Sequence, residues 1–342
     1  MSVEFRKALR ETRFLDPMSG FAENKRTTEI RIDPLTGRTA RVLEWPGRLP
    51  SKPDLTTLVE KSLQIGCPFC PERVEAITPM FPPDLLPEPR IKVGDAIVVC
   101  NMFPYDAYSA VCVMTSRHFI AIDEFDEELL VDALLASQSY VRMVAGRDAT
   151  ARYISINWNY MPPSGGTLIH PHLQVIVGDT PSNYHREIIE CSRRYYEANS
   201  ANYWADLIDA ERRLGERYVA STGPVHWLVP FAPKGIIDVM AVFEERASVL
   251  DLERDDWSAF ADGLARVMRY LGSLNFHSLN MSLISGLRGE DALWTTAHVV
   301  PRFSIFEAIG TSDINYFEAL HEEVLTRVRP EDVGRDLQPF FG

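Results

Sequence analysis

The segment Asn159-Tyr160-Met161-Pro162-Pro163-Ser164-Gly165-Gly166-Thr167-Leu168-Ile169-His170-Pro171-His172-Leu173-Gln174 gathers side chains suited to phosphate chemistry and runs into the apolar stretch Val175-Ile176-Val177. In an extended strand successive side chains alternate faces. His170, His172 and Gln174 would then share one face, while Leu173 and Val175 take the core-facing side. A neutral imidazole is available as a nucleophile near pH 7, and an amide can donate to phosphate oxygens. Gly165 and Gly166 let backbone N–H groups approach an anion closely. Pro171 has no backbone N–H, which predicts that this end of the strand lies at a sheet edge or opening. The competing reading is a pair of surface histidines beside a flexible loop. Gln174, the glycine pair and the spacing from Asn159 favour a phosphate site.

Cys67-Pro68-Phe69-Cys70 separates two thiols by two residues, the usual half of a tetrahedral zinc site. There is no second such pair, so the remaining ligands must be histidines, and His118 and His170 are the candidates. A redox dithiol and two buried thiols are the alternatives. The first expects a βαβ setting that the sequence does not show.

The elements that must position these residues read as α+β. Residues 28–45 form a hairpin pattern around Asp33-Pro34-Leu35-Thr36-Gly37. Strand patterns cover 95–101, 108–115, 151–158 and 172–178, and a helix covers 123–146 with an acidic opening. A long helical stretch spans 183–219. Strand patterns then recur at 226–231, 236–243, 279–285 and 294–300, with a helix over 253–273. Strand pair, helix, strand pair thus occurs twice, which predicts an internal duplication: two tandem halves of antiparallel sheet plus helix, 1–185 and 186–342.

The 342 residues are 46% hydrophobic and 24% charged, a globular balance that excludes a mostly disordered chain. Acidic residues outnumber basic ones by 48 to 35, giving a net charge of -13 and a pI of about 5.1. Such a surface repels nucleic acid and anionic lipid, so an anionic ligand needs a particular pocket. No run approaches the ~18 apolar residues of a membrane span, and the N-terminus lacks the apolar core of a signal peptide. The expectation is a cytoplasmic protein without nucleic-acid or membrane partners. Cys67, Cys70, Cys100, Cys112 and Cys191 make an odd set that argues for metal binding or buried thiols over disulfides.

With these residues in view, the sequence resembles the galactose-1-phosphate uridylyltransferase branch of the histidine-triad (HIT-like) superfamily. Asn159, Gly165, Thr167 and His170-Pro171-His172-Leu173-Gln174 match the branch's Asn, Gly, Ser and His-Pro-His-Gly-Gln spacing. Asp33–Gly37 resembles its N-terminal hairpin turn, and Cys67 with Cys70 its zinc pair. Asn101-Met102-Phe103-Pro104 resembles its nucleotide-side loop, His118 its third zinc ligand, and Trp294 to Arg302 its C-terminal histidine strand. The likeness covers most of residues 28–310. It implies double-displacement nucleotidyl transfer: His172 takes a nucleoside monophosphate from a nucleoside-diphosphate sugar and a sugar 1-phosphate accepts it. Gln174 and Thr167 would then donate to the phosphate. One structural zinc on Cys67, Cys70, His118 and His170 would aim the strand, with no position open for catalysis. Asn159, Gly165, Gly166, Asn101, Phe103, His298, Glu307 and Arg48, with Lys52 beside it, are the implied substrate contacts. A homodimer is implied as well.

The departures narrow the analogy. Thr167 replaces serine, and Leu173 replaces glycine as in dinucleotide-phosphorylase relatives. Of the branch's second metal site only Glu187 and His298 match, while Thr296 and residues near Ser282 replace the rest, so no second metal is expected. Asp313 stands where an amide is expected in the hexose-reading region. A phosphorylase using inorganic phosphate is the alternative enzyme. A hydrolase is disfavoured by Gln174, and a zinc-stabilised, non-catalytic nucleotide-binding scaffold is the reading from another class. His185, His226 and His277 read as structural, Cys100, Cys112 and Cys191 as buried thiols, and Trp227 and Trp294 as core.

Overall fold

The computed structural model describes residues 3–43, 50–51, 53–306 and 310–342. Its elements begin with β1 (Arg6–Asp16), β2 (Ala22–Ile32), β3 (Thr39–Leu43), α1 (Thr56–Ile65) and α2 (Pro71–Ile77). The first repeat follows as β4 (Ile91–Val93), β5 (Ala96–Cys100), β6 (Tyr108–Val113), α3 (Glu127–Arg147), β7 (Tyr153–Tyr160) and β8 (His172–Gly178). Two helices, α4 (Asn183–Asn199) and α5 (Tyr203–Leu214), lead to β9 (Tyr218–Thr222), β10 (Val225–Leu228), β11 (Val239–Phe243), α6 (Arg254–Ser273), β12 (Leu279–Ile284) and β13 (Thr296–Pro301). The chain ends with β14 (Ser304–Phe306), β15 (Thr311–Ser312), α7 (Tyr316–His321), β16 (Val324–Thr326) and α8 (Pro330–Leu337).

Among the described residues, a ten-stranded sheet has the order β4-β5-β6-β8-β7-β12-β13-β11-β10-β9. Every ladder in it is antiparallel. Each set of five strands has the same connectivity: three strands, a helix, then two strands of which the last inserts next to the third. The sets meet where β7 pairs with β12, Asn157 opposite Ser282 and Asn159 opposite Asn280. The fold is α+β with antiparallel sheets, as the sequence predicts. A second sheet, β1-β2-β3-β16, adds the C-terminal strand to the N-terminal hairpin.

The sequence dictates which face of the long sheet is dry. Ile154, Ile156 and Trp158 on β7, Leu173, Val175 and Val177 on β8, and Leu279, Met281 and Leu283 on β12 are all buried in one core with Leu134 and Val141 of α3 and Phe260, Leu264 and Met268 of α6. Each fully buried aliphatic or Phe side chain contributes about 1.5–3 kcal/mol. The helices start where capping dictates. Asp126 accepts the Leu129 N–H ahead of α3, and Glu253 and Asp256 form a reciprocal capping box on α6. On the other face, α4 and α5 cover the second repeat through Ile188, Trp204, Leu207 and Ile208 against Leu228, Met240 and Val242. At the joint that face carries the polar side chains of Ser155, Asn157, Asn159, Asn280 and Ser282.

The structure adds one strand for which the sequence gives no expectation and breaks one expected helix. The N-terminal segment, in which charge alternates with single apolar residues, is the strand β1, paired with β2 along its whole length. The helix expected over 183–219 is broken, because Ser200 is left-handed at φ 53 and Asn202 caps α5 by accepting from Trp204 and Ala205. Of the two places that Pro171 predicts, an edge or an opening, the structure has the second: β8 lies between β6 and β7, and its ladder with β7 ends at Gln174, short of His172. Pro171 just precedes it, and its missing N–H costs nothing there, while its carbonyl accepts the Met114 N–H.

Candidate functional site

Four donor side chains converge from three segments. Cys67 and Cys70 flank the turn ahead of α2, His118 follows β6, and His170 precedes β8; all four ligand atoms lie within 4.8 Å of one another. His170 Nδ1 is 3.6 Å from Cys67 Sγ and 3.9 Å from Cys70 Sγ, and His118 Nδ1 is 3.3 Å from Cys70 Sγ. Zinc bonds of about 2.0–2.3 Å in a tetrahedron put ligands roughly 3.3–3.8 Å apart, so the cluster has the size of one ion. The distal ring nitrogens are held as well: His170 Nε2 lies 2.7 Å from the Thr115 carbonyl and His118 Nε2 2.6 Å from Ser62 Oγ. Such outer contacts fix the tautomer that turns Nδ1 to a metal. Burial and the adjacent Cys67 thiol raise Cys70 to about 11, while burial lowers His170 to about 4. A divalent cation would supply the charge that turns such thiols into thiolates. The donor set fits zinc.

His172 opens β8 two residues beyond this cluster and is 8% exposed. Its Nδ1 lies 2.8 Å from the His170 carbonyl, so Nδ1 carries the proton and Nε2 keeps the lone pair. Burial lowers its pKa from the ordinary histidine value, favouring the neutral ring. Phe69 packs 6.0 Å from the His170 ring and 5.2 Å from the His172 ring. The residue inside the Cys pair thus wedges both histidines. Expected to share a face with His172, His170 instead lies ahead of the strand with its ring on the thiols.

The loop before His170 is shaped by glycine. Gly165 has φ +86, and a Cβ on Gly166 would meet the Asn159 carbonyl at 2.8 Å and that of Met161 at 3.0 Å. Thr167 is exposed beside them. Beyond the loop, a row of polar residues crosses the sheet from strand to strand: Gln174 opposite Asn157, Asn157 opposite Ser282, Ser282 opposite His298. Ser282 Oγ donates to Asn157 Oδ1 at 2.8 Å. At the end of the row His298 Nδ1 bonds Asp238 Oδ1 at 2.9 Å, and Asp238 accepts the Lys234 backbone N–H. Glu187 is ion-paired to Arg38 at 2.6 Å, and Thr296 is buried on β13.

Asn101 closes the turn after β5, accepting the Phe103 N–H at 2.9 Å and donating to Ser109 at 3.2 Å. That leaves Phe103 77% exposed. Arg48, Lys52 and Glu307 lie outside the described residues. His185 and His226 are buried on the Ser285 carbonyl and Glu244 respectively, Cys112 and Cys191 are buried thiols while Cys100 is half-buried, and Trp227 and Trp294 are core. Sequence reasoning missed Asn157, Asn280, Ser282 and Asp238. The signal was available: Ser155, Asn157 and Asn159 alternate with Ile154, Ile156 and Trp158, and a central strand keeps one polar face only where that face meets water or ligand.

No protein-family model matches the chain. An uncharacterized protein of Archaeoglobus fulgidus is 31% identical over 339 residues, 99% of each chain. Among solved structures, a GalT-like protein from Arabidopsis thaliana superposes with TM-score 0.71 at 16% identity, covering 90% of this chain and 98% of that one. An ADP-glucose phosphorylase from Arabidopsis thaliana, solved with bound ADP-glucose, gives 0.70 at 16% identity over 91% and 98%. A uridylyltransferase gives 0.65 at 18% identity, again over 91% and 98%.

Proposed function

The chain belongs to one family with the Archaeoglobus fulgidus protein and has the fold of the GalT-like, HIT-like proteins; from that premise we propose that it is a nucleotidyltransferase working through a nucleotidyl-histidine on His172. The observation that carries this reading is the hydrogen bond from His172 Nδ1 to the His170 carbonyl. It leaves a buried, neutral imidazole with its Nε2 lone pair free beside a glycine loop.

In the proposed reaction Nε2 attacks the α-phosphorus of a nucleoside-diphosphate sugar. The bond from that phosphorus to the bridging oxygen breaks, and the sugar 1-phosphate leaves with the electron pair. A phosphate oxygen of the acceptor then attacks the same phosphorus, the P–N bond breaks, and the neutral ring returns. Gln174 and Thr167 are proposed to donate to the non-bridging oxygens, Gly165 and Gly166 to admit them to the backbone, and Asn101 with Phe103 to border the base. Zinc on Cys67, Cys70, His118 and His170 would be structural, since four protein ligands leave it no open position. His298, three strands along the polar row, is proposed to contact the sugar end. The repeated strand order supports division into the halves 1–185 and 186–342, and we infer a cytoplasmic homodimer. No described helix is long and apolar enough to cross a membrane.

The acceptor is a sugar 1-phosphate in this reading. Inorganic phosphate is the second reading, favoured by Leu173. Incubation with UDP-glucose or ADP-glucose and either acceptor, followed by product analysis, separates them. Transfer that needs galactose 1-phosphate supports the transferase, transfer that needs phosphate supports the phosphorylase, and equal turnover by His172→Asn would overturn both.

A further inference from the structure

One set of contacts reaches the nucleophile loop from the other repeat. Arg302, just after β13, makes a two-pronged ion pair with Asp313, Nε to Oδ2 and Nη2 to Oδ1, each 2.7 Å. Its third nitrogen, Nη1, donates to Asn280 Oδ1 at 2.9 Å. Asn280 Nδ2 in turn donates to Asn159 Oδ1 at 2.8 Å and to the Ser164 carbonyl at 3.0 Å. Arg302 is largely buried, with 14% of its side chain exposed.

The order of donors and acceptors in this chain is forced. A guanidinium has no acceptor, so it fixes Asn280 with Oδ1 toward Arg302. The Asn280 NH2 must then point the other way, and the Ser164 carbonyl, which can only accept, requires the same orientation. Both Asn280 protons are used. Asn159 must therefore turn its own Oδ1 to Asn280, which leaves its NH2 without a partner among the described residues. The β7–β8 ladder ends at Asn157 opposite Gln174; carried on by two residues, the same register brings Asn159 to the side of His172, where the two strands part into the loop.

We propose that Asp313, Arg302 and Asn280 form a polarity relay that compels Asn159 to present its amide NH2, and never its carbonyl, to a phosphate oxygen at His172. The inference rests on the nucleotidyl-histidine reading for the identity of that anion. Arg302 is a positioning residue: it touches nothing that reacts, and its charge is spent on the orientation of an amide two side chains away. It also gives Asp313 a role distinct from reading a hexose.

Asn280→Asp is the most direct test, because it replaces NH2 by oxygen at constant shape. Both carboxylate oxygens accept, so Asn159 must flip to donate and turns its Oδ1 toward the phosphate. Nucleotidyl-histidine formation is expected to slow by about 100-fold, the scale of losing one preorganised donor. Arg302→Lys keeps a donor-only cation and is expected to stay within about 10-fold of wild type, while Arg302→Met falls well below it. Wild-type rates in Asn280→Asp, or equal losses in both Arg302 variants, would overturn the relay.

Side-chain amide hydrogen exchange by NMR reads the same relay without turnover. In wild type the Asn280 NH2 is protected and that of Asn159 is not; in Asn280→Asp the Asn159 NH2 becomes protected. Should the carboxylate's repulsion of the Ser164 carbonyl prevent folding, loss of Asn280 protection in Arg302→Met decides instead. An exchange pattern as expected with no adduct from wild type would leave the relay standing and sink the nucleotidyl-histidine. An adduct with no such pattern would do the reverse.

Discussion

A neutral imidazole has one donor and one acceptor nitrogen, so the His170 carbonyl that takes the Nδ1 proton of His172 decides where nucleophilicity resides. The same economy of donors operates at Gly166. Its φ is ordinary, yet the carbonyls of Asn159 and Met161 stand at 2.8 and 3.0 Å from where a Cβ would lie. Gly166→Ala must therefore push the loop off β7, costing about 1–3 kcal/mol and displacing the N–H groups proposed to admit the phosphate. We expect a lower melting temperature together with a raised apparent Km for the nucleotide donor. Unchanged values for both would show that the loop does not rest on Asn159 as described. Gly165→Ala differs in kind, since φ +86 strains any side chain whatever the space.

At the scale of elements, the candidate zinc cluster ties the turn before α2, which belongs to no ladder, to the end of β6 and the approach to β8, two strands already paired with each other. Removing one thiol should release that turn from the sheet. Cys67→Ser is expected to lose bound zinc and at least about 3 kcal/mol of stability, because metal binding and folding are coupled. Cys191→Ser, in α4, should keep zinc at one per chain and melt close to wild type. Equal zinc content and melting in the two variants would sink the assignment. Much at this scale was legible in the sequence, because the strands and helices of both repeats carry clear two-residue and helical periods. The Cys pair and the two histidines were legible by type and spacing. The register was not: that Asn157 faces Ser282, or that Asn280 reaches Asn159, follows from a pairing of strands more than a hundred residues apart. β1 was missed because its pattern of charge and single apolar residues describes a strand exposed over most of its length.

For the whole molecule, the second sheet is fastened to the long one by buried charge. Arg31, fully buried on β2, binds Glu331 of α8 through two hydrogen bonds of 2.8 and 2.9 Å and also Glu29. Arg217, stacked between the rings of Phe5 and Phe231, shares Glu331 and binds Glu211. The N-terminal hairpin, the β9–β10 edge of the long sheet and the C-terminal helix meet at this one knot. Glu331 is held down to about 2 by its bonds to Arg31, against the cost of its own burial. A carboxylate with a depressed folded pKa contributes stability that is fully present above its unfolded value near 4.5 and is lost as pH falls toward 2. Glu331→Gln leaves Arg31 buried with one acid fewer, and we expect it to cost about 3 kcal/mol at pH 7. The gap to wild type should narrow steadily below pH 4.5. A gap independent of pH would show that Glu331 acts by packing and not by charge.

The central claim is a covalent bond at one nitrogen, and intact-protein mass spectrometry reads it directly. The wild-type protein is incubated briefly with a panel of nucleotide sugars and dinucleoside polyphosphates, with His172→Asn alongside. The account predicts a gain of one nucleoside monophosphate that is acid-labile, absent in the variant, and discharged by a sugar 1-phosphate or by phosphate. Binding of a donor with no adduct would contradict it and favour a non-catalytic nucleotide-binding scaffold, and an adduct that persists in His172→Asn would place the chemistry on another residue.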